Sequence, residues 1–180
     1  MKNSWWLDLF RRTKPEYYAD FFITTPVTIF VLVMSFLYNP LLACLGWFAL
    51  GVFIWSFYEY ALHRWILHHT PFFKDTHQLH HDAPKDYIAI HPIMTLLSYL
   101  LFWFLFGFTT ANPIMAGFSV AYFIYSVEHT MFHYARITPG HLLYRLKRLH
   151  AIHHRKNVNF GVSSPLWDIV FGTYEDLRKD

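Results

Sequence analysis

At 180 residues the chain has the length of one domain, yet it is 54% hydrophobic, 21% aromatic and only 15% charged. A soluble domain carries about 25% charged residues, so much of this surface must face something other than water. The net charge of +3 is modest and its basic residues are not arranged as a nucleic-acid face, while the single cysteine, Cys44, excludes a disulfide framework or a Cys-based zinc finger.

In chain order, the first stretch holds Trp5, Trp6, Leu7, Leu9 and Phe10 followed by Arg11 and Arg12. It lacks the apolar core and small-residue cleavage site of a signal peptide, and predicts an interfacial amphipathic helix over residues 1–20. Apolar segments follow at 21–38 and 41–62, then at 93–111 and 113–127. A crossing needs about 17–25 apolar residues. The fourth segment reaches that length only if its helix continues through Glu128, His129 and His133. Asn39-Pro40 and Asn112-Pro113 are predicted to turn the chain back within each pair, giving two hairpins over residues 21–127. Cys44 lies inside an apolar run and reads as a small buried hydrophobe. The lysines and arginines precede the first segment, occupy the central loop or follow the fourth, and the two Asn-Pro turns carry none. The positive-inside rule puts that side, with both termini, in the cytoplasm.

The thirteen histidines break this apolar pattern, and ten fall into four groups. His63 and His68 close the second segment, and His77, His80 and His81 follow in the 63–92 loop. His129 and His133 extend the fourth segment. His150, His153 and His154 lie in the region 128–180, predicted to be a helical, histidine-rich cytoplasmic cap. Residues three and four apart share a helix face, so each H-x2-H-H is expected to aim three imidazoles into one arc. The five-residue offset of His63 and His68 puts them about 140° apart on a regular helix. They serve one ion only if the helix unwinds locally; otherwise they reach two neighbouring ions. Ten imidazoles exceed what one ion of about four to six ligands takes, so the count predicts two metals. His69, His91 and His141 lie outside the patterns and are expected not to be ligands. Imidazole suits zinc, copper, iron and nickel, and a closed four-ligand structural zinc site is smaller than this set. Two irons fit best, with zinc able to take the same ligands in a purified protein.

Asp82, Asp86, Glu128 and Asp168 are candidates to orient imidazoles through their far nitrogens, with capping or surface solvation the alternative for each. Leu142, Leu146 and Leu149 approach His153 at helical spacing, either to lie on a membrane or to pack a core.

These histidine groups on two hairpins resemble the fatty acid hydroxylase/sterol desaturase superfamily of membrane di-iron enzymes. The fatty acid 2-hydroxylase branch is the most similar, through Glu59 to Arg64, His80 to Asp86, Asn159 to Asp168, and Phe171-Gly172-Thr173. The resemblance covers nearly everything beyond the first twenty residues, within one domain over 1–180. It implies metal ligation by His63, His68, His77, His80, His81, His129, His133, His150, His153 and His154, two iron ions and O2 as co-substrate. The implied reaction is hydroxylation of a long-chain acyl group, in a fatty acid or sphingolipid, beside its carbonyl. Two departures are expected to matter: the His68–His77 gap is shorter than in eukaryotic members, and the fused cytochrome b5 domain is expected to be missing. Electrons are therefore expected from a separate cytochrome b5-like or ferredoxin-like protein, and a bacterial inner membrane is expected rather than endoplasmic reticulum. The alternatives are a carotenoid-ring hydroxylase or sterol oxidase/desaturase, and, in another class, a non-enzymatic membrane metal carrier.

Overall fold

The computed structural model describes residues 12–86 and 93–176, and the regular structure among them is helical. Helix α1 is Lys14–Tyr38 and α2 is Leu41–Ala61, which passes directly into a π-helical turn, Leu62–Leu67. Then come α3 (Pro71–Asp82), α4 (Ile93–Phe106), α5 (Phe108–Tyr134), α6 (Tyr144–His153) and the short α7 (Leu166–Val170). The interfacial helix expected over 1–20 falls mostly outside the described residues, and from Lys14 onward the chain already belongs to α1. The Glu16 carboxylate starts α1 by accepting the Thr13 backbone N–H at 2.8 Å.

Two helical stretches, Lys14–Tyr38 and Leu41–Leu67, are long and apolar enough to cross a membrane. Only 22% and 17% of their most apolar windows are buried, which separates them from the core helices of a soluble protein. Phe22, Leu37 and Leu42 are among their exposed side chains, a surface suited to hydrocarbon rather than water.

The chain divides into two compact units. The first comprises Met1–Trp55 with Asp86–Phe123. Its core gathers Val31, Tyr99, Ala111, Met115 and Ala116. Cys44 is buried as expected, its thiol donating to the Ser35 carbonyl at 3.1 Å. In this unit α2 and α5 touch backbone to backbone. A Cβ on Gly51 would lie 2.0 Å from the Ile114 carbonyl oxygen, and one on Gly117 would lie 2.0 Å from that of Phe48. Small residues at such crossings are how membrane helices approach closely.

The second hairpin turns five residues earlier than the sequence suggests. Gly107, at φ +74°, separates α4 from α5, because only glycine takes that conformation without strain. Asn112 and Pro113 lie inside α5 instead. Pro113 has no N–H for the Thr109 carbonyl, and the Asn39 side chain donates to that oxygen at 3.2 Å. Asn112 is fully buried and accepts from the Trp103 indole at 2.8 Å.

The second unit is Ser56–Lys85 with Ile124–Asp180. It holds the end of α2, the π-turn, α3, the end of α5, α6 and α7, with Phe132, Ile137 and Val162 in its core. Leu149 is buried and Leu146 packs on that core, whereas Leu142 is 91% exposed. The leucine row is therefore core at one end only.

Candidate metal centre

All ten expected histidines lie in the second unit, and they gather five and five. One group is His63, His68, His77, His81 and His153, and the other is His80, His129, His133, His150 and His154. Within each group the five facing ring nitrogens lie within 4.8 Å of one another.

The helices divide them in a way that short-range spacing does not reveal. On α3, His77 and His81 are one turn apart and face the first group, while His80, about 100° round the helix from His81, faces the second. On α6 the arrangement is reversed: His150 and His154 join the second group and His153 crosses to the first. The expectation that each H-x2-H-H fills one arc therefore gives way to a two-plus-one division. His63 and His68 share the first group because residues 62–67 form the π-turn, whose i→i+5 repeat brings residues five apart onto one face.

Nε2 distances in the first group are 2.9 Å for His63–His77, 3.0 Å for His77–His81, 3.1 Å for His81–His153 and 3.2 Å for His68–His153. In the second they are 3.2 Å for His129–His133, 3.0 Å for His133–His150 and 3.1 Å for His150–His154. An ion with bonds of about 2.1 Å to imidazole nitrogen places right-angle neighbours about 3 Å apart, so the spacing suits such an ion. Five nitrogens also exceed the four of a structural zinc site.

Protonation points the same way. His63 Nδ1 donates to the Phe160 carbonyl at 2.5 Å, and His153 Nδ1 donates to that of Val158 at 2.9 Å. Both rings then carry a lone pair on Nε2. Burial foremost, then neighbouring imidazoles, pushes His77 and His80 well below the usual histidine range, and His153 down to about 2. Nε2 of His80 is buried with no hydrogen-bond partner. Lone pairs converging in a dry pocket call for a cation, and each group can hold a metal ion.

Among the described residues, the four carboxylates singled out from sequence make no direct hydrogen bond to an imidazole. Asp82 accepts from Gln78, and Asp86 is exposed. Glu128 buries Oε2 without a partner. Asp168 is wholly buried and accepts from the Phe160 and Gly161 N–H groups, each at 2.8 Å, and from the Thr173 hydroxyl at 2.7 Å. It therefore acts one peptide away, through the carbonyl that holds His63. His69 is exposed beside the Arg64 carbonyl, His141 accepts the Leu143 N–H, and His91 lies outside the described residues.

Sequence reasoning missed Glu59 as a partner of the site. Its Oε1 accepts from Val162 N–H at 2.6 Å and Ser163 N–H at 2.9 Å, and Oε2 bonds to the Ser163 hydroxyl. A carboxylate inside an apolar segment, one turn before a histidine, was the available signal.

A family model described as fatty acid hydroxylase matches residues 48–173. Dihydroceramide fatty acyl 2-hydroxylase FAH1 of Arabidopsis thaliana is 34% identical over 69% of this chain and 58% of its own. Ceramide very long chain fatty acid hydroxylase SCS7 of Saccharomyces cerevisiae is 34% identical over 76% of this chain and 39% of its own. The fatty acid 2-hydroxylase of Homo sapiens is 32% identical over 71% and 39%. The chain thus spans between about two fifths and three fifths of the length of these relatives. A solved structure of full-length scs7p, in which only the hydroxylase domain is visible, superposes with a TM-score of 0.76 at 29% identity. The match covers 98% of this chain and 72% of that one.

Proposed function

This chain belongs to the fatty acid hydroxylase family, and from that membership we propose that it is a di-iron, O2-dependent lipid hydroxylase acting beside the carbonyl of a long-chain acyl group. The observation that carries the reading is the pair of five-histidine clusters in a chain similar to 2-hydroxylases of fatty acyl groups, ceramide-linked ones among them. A fatty acid or a sphingolipid is accordingly the substrate class.

His63, His68, His77, His81 and His153 would hold one iron, and His80, His129, His133, His150 and His154 the other; together the ions would supply reduction of O2 and oxidation of an unactivated C–H bond. Inserting one oxygen atom into C–H while the other leaves as water consumes two protons and two electrons, which a donor must bring. A separate donor, cytochrome b5-like or ferredoxin-like, is therefore part of the proposal. The chain's own residues hold the imidazoles neutral by burial and fix His63 and His153 by backbone carbonyls. Nucleic acid has no part in this activity.

In the membrane, α1, α2, α4 and α5 form two hairpins, with the π-turn after α2 and the histidine-bearing end of α5, together with α3 and α6, in a cytoplasmic cap. Residues 1–180 then act as one membrane domain. At 14 residues, α4 rises about 21 Å against a hydrocarbon thickness of about 30 Å, so its crossing needs flanking residues. The relatives named above are eukaryotic and lend no support to the expected bacterial inner membrane.

Lipid mass spectrometry of cells expressing this chain, or its His80→Ala variant, with a competent electron donor tests the proposal. The expected result is a gain of one oxygen on acyl chains with the intact chain only, with fragmentation placing it next to the carbonyl. An iron-loaded, reducible protein that adds no oxygen to acyl lipids would refute it.

A further inference from the structure

Resting on the two-metal reading, we propose that the two ions are held unequally. The cluster of His63, His68, His77, His81 and His153 is the tight, preorganised site, and that of His80, His129, His133, His150 and His154 is the exchangeable one. Glu59 and Asp168 are the positioning residues that make the difference.

The asymmetry originates in residues 158–164. Their carbonyls at Val158 and Phe160 accept from His153 and His63, both in the first cluster. Asn159, between them, has φ +54°, a left-handed conformation that asparagine tolerates, and its side chain makes two bonds of 2.8 Å to the Glu175 backbone. Two buried carboxylates then take up the N–H groups of this segment. Asp168 accepts those of Phe160 and Gly161, and Glu59 those of Val162 and Ser163. Asp168 is itself braced by Thr173, whose hydroxyl meets that of Tyr60 at 3.0 Å. Two of the five first-cluster rings, His63 and His153, are thus set in tautomer and direction before any ion arrives.

The second cluster has thinner outer support, a hydrogen bond between the His154 ring and the His81 backbone. Nδ1 of His150 is buried with no hydrogen-bond partner, and so is Oε2 of Glu128, next to His129 in sequence. The His150 ring is packed in place but has no outer hydrogen bond to fix its tautomer, and an ion without such partners loses the affinity they contribute, typically about 10–100-fold.

The test uses the full chain in detergent, loaded with two zinc ions and mixed with excess chromogenic chelator. Two release phases of one equivalent each are expected, their rates differing by about tenfold or more. His133→Ala should remove the fast phase and keep the slow one. Asp168→Asn and Glu59→Gln should speed the slow phase by about 10–100-fold and leave the fast phase unchanged. Thr173→Val, a milder change one bond further out, should move the same phase in the same direction and guards against a variant that fails to fold. General loosening would speed both phases together, and that result overturns the proposal. So does a single phase of two equivalents, or loss of the slow phase in His133→Ala. Fewer than two zinc ions in the parent chain would instead refute the two-metal reading beneath it.

Discussion

His68 lies at the more open side of its cluster, and burial, helped by His81, His69 and Lys74, pushes it down to about 4 from an ordinary 6.5. His154 goes down to about 3, again through burial first and then His81 and His133. A histidine whose value falls on folding is stabilising while neutral in both states, above about 6.5, and that contribution is lost as pH falls towards the folded value. Protons also compete with metal for the same nitrogens. The protein should therefore hold its metal and its thermal stability above pH 6.5 and lose both progressively between about 6.5 and 4, read by metal analysis and melting of samples equilibrated across that range. Asn159 allows a separate test of the loop. Asn159→Ala keeps a strained φ and drops two hydrogen bonds, for a loss of about 2–4 kcal/mol. Asn159→Gly relieves the strain and should lose roughly the hydrogen-bond part only, as measured by denaturant unfolding in detergent.

Among the elements, the π-turn decides most. A regular helix through residues 62–67 would send His63 and His68 about 140° apart, and the sequence states only their offset, not which helix type carries it. The tight crossing of α2 and α5 was equally hidden, since Gly51 and Gly117 look like any glycines in apolar segments. Gly117→Val should force backbones apart and cost at least about 1–3 kcal/mol, seen as a lower melting temperature in detergent. Gly46→Ala, where nothing lies within 4 Å of the added carbon, should be neutral or slightly stabilising. The third and fourth apolar segments were legible as elements, but their join was not. Asn-Pro is a strong turn signal, yet Gly107 accepts a positive φ and Asn39 caps the carbonyl that Pro113 leaves open.

For the whole molecule, metal and fold should be linked, because ten buried or half-buried imidazoles are a poor core without cations. Stripping the metal with a chelator should lower stability by about 3–4 kcal/mol at ion concentrations 100–1,000 times the dissociation constant, and re-addition of two equivalents should restore the melting temperature. Composition, helix content and the roster of ten histidines followed from the sequence alone, because hydrophobic runs and i, i+3 and i, i+4 spacings are short-range properties of a helix. Which histidines share a centre did not follow, since it depends on the rotation of α3, α6 and the π-turn about their own axes, and packing sets those angles. Nor did the role of Glu59, or the backbone route by which Asp168, a candidate from the sequence, meets the site. The two carboxylates join residues about a hundred positions apart or bridge a short irregular loop through its backbone, and backbone hydrogen bonds leave no mark in side-chain identity. The sequence named ten histidines at ligand spacing, and tertiary packing divided them into two clusters of five.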